Sequence, residues 1–144
     1  MNDMVQAALI SIIGTQQLEG EAPESIELVT EGSYCYEPGY ITFSYVETQM
    51  TGLEGVVTTF TIENDKTVTL RRTGQINSQM VFEPGRTDDS LYEAGPGALM
   101  LRIQTKSLTV LMNEHGGIFD LAYSIEVEYA TCGLNSYHIE IRTT

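Results

Sequence analysis

The stretch Thr67–Phe82 reads TVTLRRTGQINSQMVF and has the alternation of a β-hairpin. Neighbouring side chains in a strand point to opposite faces, so Arg72 shares a face with Val68 and Leu70, and Arg71 lies on the other. The Val68 face is apolar and is expected to point into the core. An arginine on a core-facing position needs hydrogen-bonding partners inside the protein or a ligand. The sequence therefore predicts one outward and one inward arginine, and the inward Arg72 is the first residue to examine for function.

The same period of two runs through most of the chain. No segment has apolar residues every three to four positions, as an amphipathic helix would. Short polar joints separate the alternating runs, which predicts eight to ten antiparallel strands paired in sequence order. A kink is expected at Lys106–Ser107. The runs are Met4–Gln16 (helix or strand by composition, with β-branched isoleucines favouring strand), Ile26–Tyr36, Tyr40–Thr48, Gly55–Glu63, Thr67–Phe82, Ala98–Met112, Ile118–Tyr129 and Asn135–Arg142.

An antiparallel array of this length tends to close on itself, because closure removes exposed strand edges. We therefore predict an all-β protein, a single domain over residues 1–144 that forms a closed or nearly closed β-barrel, with a β-sandwich as the alternative. Two tracts are predicted to be irregular. Glu83–Gly97 is rich in Pro and Gly and is expected to be a long loop, and Thr131–Gly133 is expected to be a turn.

The composition limits the partners. A net charge of −13 opposes binding to nucleic acid or to an anionic membrane surface. The N-terminal apolar run has no basic residue ahead of it, so it is a poor signal peptide, and a cytoplasmic location is expected. Cys35 and Cys132 are expected to be reduced thiols, with a single disulfide as the alternative. The composition leaves open whether the protein binds a protein partner or forms a homo-oligomer.

Several separated motifs resemble the YwiB-like family of bacterial proteins. The resemblance covers most of the chain, from about Ile26 to Ile141. It implies a calycin-like, or lipocalin-like, β-barrel and supplies no reaction. The motifs are Leu70–Gly74, Met80–Phe82, Tyr92–Gly97, Ala98–Leu108 and the hairpin of Gly32–Tyr36 with Tyr40–Glu47.

The sequence offers two roles for Arg72. It either hydrogen-bonds to a carboxylate, a tyrosine hydroxyl or backbone carbonyls and pins the barrel, or it orients the anionic end of a small, mostly apolar ligand in the barrel interior. The residues predicted to form such a ligand site are Arg72, Tyr45, Met80, Phe82, Tyr92 and Tyr123.

Other chemistry has less support. His115 and His138 are isolated in the sequence, so neither a metal site nor a cofactor is expected. No cluster of His, Cys or carboxylate falls on one inward face, which argues against an enzyme. The alternative to ligand binding is a fully packed barrel that serves as a structural or protein-interaction module, through an exposed strand face or the Glu83–Gly97 loop.

Overall fold

The computed structural model describes residues 5–18, 20–94, 97–128 and 131–144, and the side chains of residues 92–94 and 131–132 are outside that description. The described residues form ten strands and one short 3-10 helix at Gln49–Thr51. The strands are β1 (Gln6–Leu18), β2 (Glu24–Glu37), β3 (Tyr40–Val46), β4 (Val57–Glu63), β5 (Thr67–Thr73), β6 (Ile76–Phe82), β7 (Thr87–Ala94), β8 (Gly97–Asn113), β9 (Gly116–Val127) and β10 (Thr131–Thr143).

Every strand pairs antiparallel with its neighbours in sequence, and β1 pairs with β10 to close a barrel. The predicted barrel is therefore confirmed, and the alternative of a sandwich is wrong. The N-terminal run is a strand, as its isoleucines indicated. β8 carries a register shift between Thr105 and Ser107, which confirms the predicted kink. The shortest seam lies between β6 and β7, where Ile76–Ser78 pair with Tyr92–Ala94.

The prediction of a long loop at Glu83–Gly97 is wrong, because β7 occupies most of that tract. All eight residues of β7 pair with β8. The aspartates that lowered the strand propensity of this tract are held by arginines, since Arg102 binds Asp89 at 3.0 Å and Arg86 binds Asp88 at 2.9 Å. Pairing with a long neighbouring strand has overridden the local composition. Residues 95 and 96, also part of the predicted loop, lie outside the described residues.

The turn predicted at Thr131–Gly133 is likewise wrong. β10 begins at Thr131, and Gly133 pairs with Ile125 of β9 and with Leu18 of β1. Tyr129, the last residue of the predicted strand Ile118–Tyr129, lies outside the described residues.

The barrel is solidly packed at one end. The rings of Phe43 and Phe60 are stacked with centroids 4.9 Å apart, and Phe119 meets both rings edge-on at 5.9 and 5.6 Å. All three side chains are fully buried. Offset and edge-to-face contacts of this kind add to the stabilisation from area burial. This aromatic cluster, Phe43–Phe60–Phe119, fills the barrel up to the ring of Tyr137, which meets Phe60 edge-on at 5.6 Å.

Within the described ranges, no helix has the length and hydropathy needed to cross a membrane.

Candidate functional site

A cavity of about 410 Å³ lies at the end of the barrel away from the aromatic cluster. Its apolar walls come from opposite sides of the barrel, with Ile12 on β1, Leu28 on β2 and Leu101 on β8. The connection between β3 and β4 contributes Thr51 and Leu53 at the mouth. The volume falls in the range of natural small-molecule sites.

Arg72 faces this cavity from β5. Its Nη2 donates a hydrogen bond of 3.0 Å to the hydroxyl of Tyr137, and its buried Nε has no hydrogen-bond partner. Among the described residues, no carboxylate oxygen lies within 4.0 Å of the guanidinium. Of the partners that the sequence allowed for an inward arginine, the structure supplies a tyrosine hydroxyl. A charged group is therefore held inside the barrel with part of its hydrogen-bonding capacity unused.

The pKa of Arg72 lies above its ordinary value. Burial by itself would lower this pKa, but the interaction and hydrogen bond with Tyr137 and the negative charge of Glu47 outweigh it. Arginine is in any case charged at all physiological pH values. The cavity thus contains a permanent positive charge.

Strand register places a row of polar side chains beside the cavity, and two of them, Tyr45 and Arg72, line it. Tyr45 on β3 pairs with Thr58 on β4, Thr58 pairs with Arg72 on β5, and Arg72 pairs with Ser78 on β6. The Oγ of Ser78 is buried and, like the Nε of Arg72, has no hydrogen-bond partner. A buried polar atom without a partner destabilises the fold by about 1–3 kcal/mol. Arg72 is the one of the two that lines the cavity, where a polar ligand group or water can supply the partner of its Nε.

Glu47 is a buried carboxylate that the sequence analysis did not identify. Its side chain is 4% exposed, and it lines the cavity two residues beyond Tyr45. Thr58 donates to one carboxylate oxygen at 2.5 Å, and Thr51 donates to the other at 3.0 Å. The alternation that placed Tyr45 inward also places Glu47 inward, so the signal was present in the sequence. The sequence analysis predicted no cluster of His, Cys or carboxylate on one inward face, and Glu47 is a single inward carboxylate.

Three tyrosines complete the polar lining, namely Tyr45, Tyr123 and Tyr137. Burial raises the pKa of Tyr45, and the negative charge of Glu47 raises it further. Burial also raises the pKa of Tyr123. Both phenols therefore stay neutral and can act as hydrogen-bond donors. Tyr137 lies in the predicted strand Asn135–Arg142, but sequence alone gave no sign that it would contact Arg72, 65 positions away.

Four of the six predicted site residues line the cavity, namely Arg72, Tyr45, Met80 and Tyr123. Phe82 lies deeper, fully buried, with its ring centroid 4.6 Å from that of Tyr123. It supports the wall and does not form it. The side chain of Tyr92 lies outside the described residues.

On the outer surface, His138 is not isolated, contrary to the sequence-based prediction. Its Nδ1 lies 2.5 Å from Asp120, which is directly opposite in the β9–β10 pairing, and its Nε2 lies 2.9 Å from Glu140. Within the described part of the chain, no group of three His, Cys, Asp or Glu side chains is arranged to hold a metal ion. The arrangement is a histidine hydrogen-bonded to two carboxylates on an exposed strand face. Cys35 is a half-buried free thiol.

This histidine gives a pH-dependent contribution to stability. Hydrogen bonds to Glu140 and then to Asp120 raise the pKa of His138. A raised pKa in the folded state stabilises the protein below the unfolded pKa of about 6.5, and this contribution is lost as the pH rises through the folded value. Urea unfolding of wild type and His138→Gln should therefore show a stability difference in mildly acidic buffer that shrinks at alkaline pH. A difference that is constant across this window would contradict the charged pairing.

The comparisons with known proteins agree with this architecture. A family model described as a domain of unknown function, DUF1934, matches residues 10–141. The crystal structure of the ywiB protein from Bacillus subtilis superposes with a TM-score of 0.76 at 19% identity, covering 99% of this chain and 95% of that one. At this identity the likeness shows the fold. No curated protein matches the chain.

The match reaches further toward the N-terminus than the motifs that first carried the resemblance, since it includes β1 from residue 10 onward. It also spans the strands that form the cavity. The chain belongs to the DUF1934 family.

Proposed function

We propose that this protein binds a small, mostly apolar molecule through an anionic group that Arg72 anchors inside the barrel. The observation that carries the proposal is the state of Arg72. Its guanidinium is half-buried against the cavity, its shielded Nε has no hydrogen-bond partner, and among the described residues its side-chain partner is the hydroxyl of Tyr137. Burying a charge is unfavourable unless it is paired, and an anionic ligand supplies the missing partner.

The walls of the cavity support an apolar ligand body. Ile12, Leu28, Met80 and Leu101 surround the space above the polar row, and each of these side chains is buried from bulk solvent. Removing an apolar chain from water against such walls is favourable by roughly 25 cal/mol per Å² of buried area. Arg72 then orients the ligand, because it holds the anionic group at one position in the cavity.

Neighbouring arginines on opposite faces of β5 allow a matched test. Arg72→Gln removes the buried charge, and Arg71→Gln removes a charge on the exposed face, where Arg71 contacts Gln79 at 2.8 Å. We expect titration calorimetry with octanoate and 3-phenylpropanoate to show binding to the wild type. Arg72→Gln should weaken that binding by about tenfold or more, which corresponds to a charge-assisted hydrogen bond. Arg71→Gln should leave the affinity unchanged.

Melting temperatures of both variants confirm that each is folded under the conditions of the titration. Glutamine at position 72 keeps a donor for Tyr137, so the fold is expected to survive the change. Equal weakening by the two variants, or no binding to the wild type of any apolar molecule with a carboxylate, whether or not it also carries an ammonium group, would contradict the proposed role of Arg72.

A further inference from the structure

Glu47 is the buried carboxylate of the cavity, in contrast to the exposed Glu24 that also lines it, and an anionic ligand leaves Glu47 unused. It is a carboxylate at 4% exposure, and within the described residues no Lys, Arg or His nitrogen lies within 4.0 Å of it. Its partners among the described residues are all hydroxyl groups, those of Thr51 and Thr58 and that of Tyr45, whose pKa is raised by burial and also by a hydrogen bond to Glu47. Hydroxyl donors satisfy part of the hydrogen-bonding capacity of a carboxylate and supply no countercharge. Among the described residues, Glu47 therefore has no positively charged side chain in direct contact, and Arg72 has no negatively charged side chain in direct contact.

The charged groups of Arg72 and Glu47 are close to each other but do not form an ion pair. Thr58 lies between them, since it pairs with Arg72 across β4 and β5 and donates its hydroxyl to Glu47. The negative charge of Glu47 contributes to the raised pKa of Arg72, which agrees with this proximity. Both side chains line the same cavity. A ligand in the cavity therefore meets a cation and a carboxylate side by side.

A ligand with only a negative charge is disfavoured by this arrangement. Its anionic group would gain the interaction with Arg72 but would be repelled by Glu47, and in a partly desolvated site both effects are stronger than in water. If the ligand also carries an ammonium group, Glu47 attracts that group, and this attraction replaces the net repulsion between Glu47 and the ligand. The hydroxyl of Tyr45 and the faces of the other tyrosines add favourable contacts for such a cation.

We propose that the cavity is specific for zwitterionic molecules with an apolar side chain, whose carboxylate binds Arg72 and whose ammonium group binds Glu47. α-Amino acids with aliphatic or aromatic side chains have this chemistry, with the two charged groups on one carbon atom. The inference rests on the proposed function, because it uses the same cavity and the same anion anchor. It adds the recognition of a second charged group of the ligand, the ammonium group, by Glu47.

The test compares molecules that share a skeleton and differ in charge. One series is phenylalanine, 3-phenylpropanoate and 2-phenylethylamine; the other is leucine, 4-methylpentanoate and 3-methylbutylamine. We expect calorimetry on the wild type to show that at least one zwitterion binds about tenfold or more tightly than its carboxylate and its amine. This comparison needs no variant, so it does not depend on how well a substituted cavity folds.

Variants then assign the effect to Glu47. Glu47→Gln keeps the shape and an acceptor oxygen, and it should reduce the preference for the zwitterion over the carboxylate to about unity. Glu27→Gln, on the exposed face of β2, removes the same charge elsewhere and should leave the preference unchanged.

The outcomes separate the two proposals. Equal binding of carboxylate and zwitterion by the wild type would overturn the zwitterion inference and leave Arg72 as an anion anchor. An unchanged preference in Glu47→Gln would also overturn it. If no carboxylate and no zwitterion of either series binds, the proposed function fails as well.

Discussion

Replacing Gly32 with alanine is expected to destabilise the barrel by about 3–5 kcal/mol, because there is no space for a side chain at this position. An added Cβ would lie 2.3 Å from the backbone oxygen of Ser44 and 2.6 Å from Cδ1 of Ile10. Gly32 pairs with Ala8 of β1, while the next residue, Ser33, pairs with Ser44 of β3. The clash with a backbone atom cannot be relieved by a change of rotamer, so β2 and β3 must separate.

Gly97 provides the matched control for this substitution. It is also a glycine in a strand, but a Cβ there would meet nothing within 4 Å. Gly97→Ala should therefore change stability by less than about 1 kcal/mol, in either direction. Equilibrium urea unfolding of both variants measures the difference. If the two substitutions had similar effects, the close approach of Ser44 would not be what requires glycine at position 32.

Phe60→Ala is expected to be comparably damaging, with a loss of about 3–5 kcal/mol. The ring of Phe60 is fully buried and touches three other rings, those of Phe43, Phe119 and Tyr137, with centroid distances between 4.9 and 5.6 Å. Truncation would leave a hole in the middle of the aromatic cluster, and the neighbouring rings are attached to different strands and cannot close it.

An exposed apolar residue serves as the reference. Leu111 on β8 is 66% exposed, so Leu111→Ala should reduce the free energy of unfolding by less than about 0.5 kcal/mol. Chemical denaturation with a fluorescence readout gives both values. A loss for Phe60→Ala no larger than that for Leu111→Ala would mean that the aromatic cluster is not the main packed core.

The period-two alternation was enough to predict the barrel and the inward phase of Arg72, because burial on one face is a local property of each strand. It was not enough for β7, where Asp88 and Asp89 lower the strand propensity and the pairing with β8 decides the structure. The carboxylate partners of His138 were missed for the same reason. Asp120 faces His138 through strand register, which short-range patterns do not contain.

The candidate site was predicted in part. Tyr45 and Tyr123 were placed correctly because they follow the apolar phase of their strands. Glu47 continues the phase of Tyr45 and could have been found by extending the alternation of that strand by two residues. The hydrogen bond between Tyr137 and Arg72 was not predictable from the strand pattern, because it depends on how β5 and β10 meet across the barrel.

The separation of a solid aromatic end from a hollow polar end has a consequence for protein engineering. Residues that are far apart and share no partners contribute to stability almost additively. Side chains around the mouth, such as Leu53 and Ile26, can therefore be exchanged to accept new guest molecules, while Phe43 and Phe119 continue to hold the scaffold together. The aromatic cluster can thus be kept unchanged while the residues that line the cavity are redesigned.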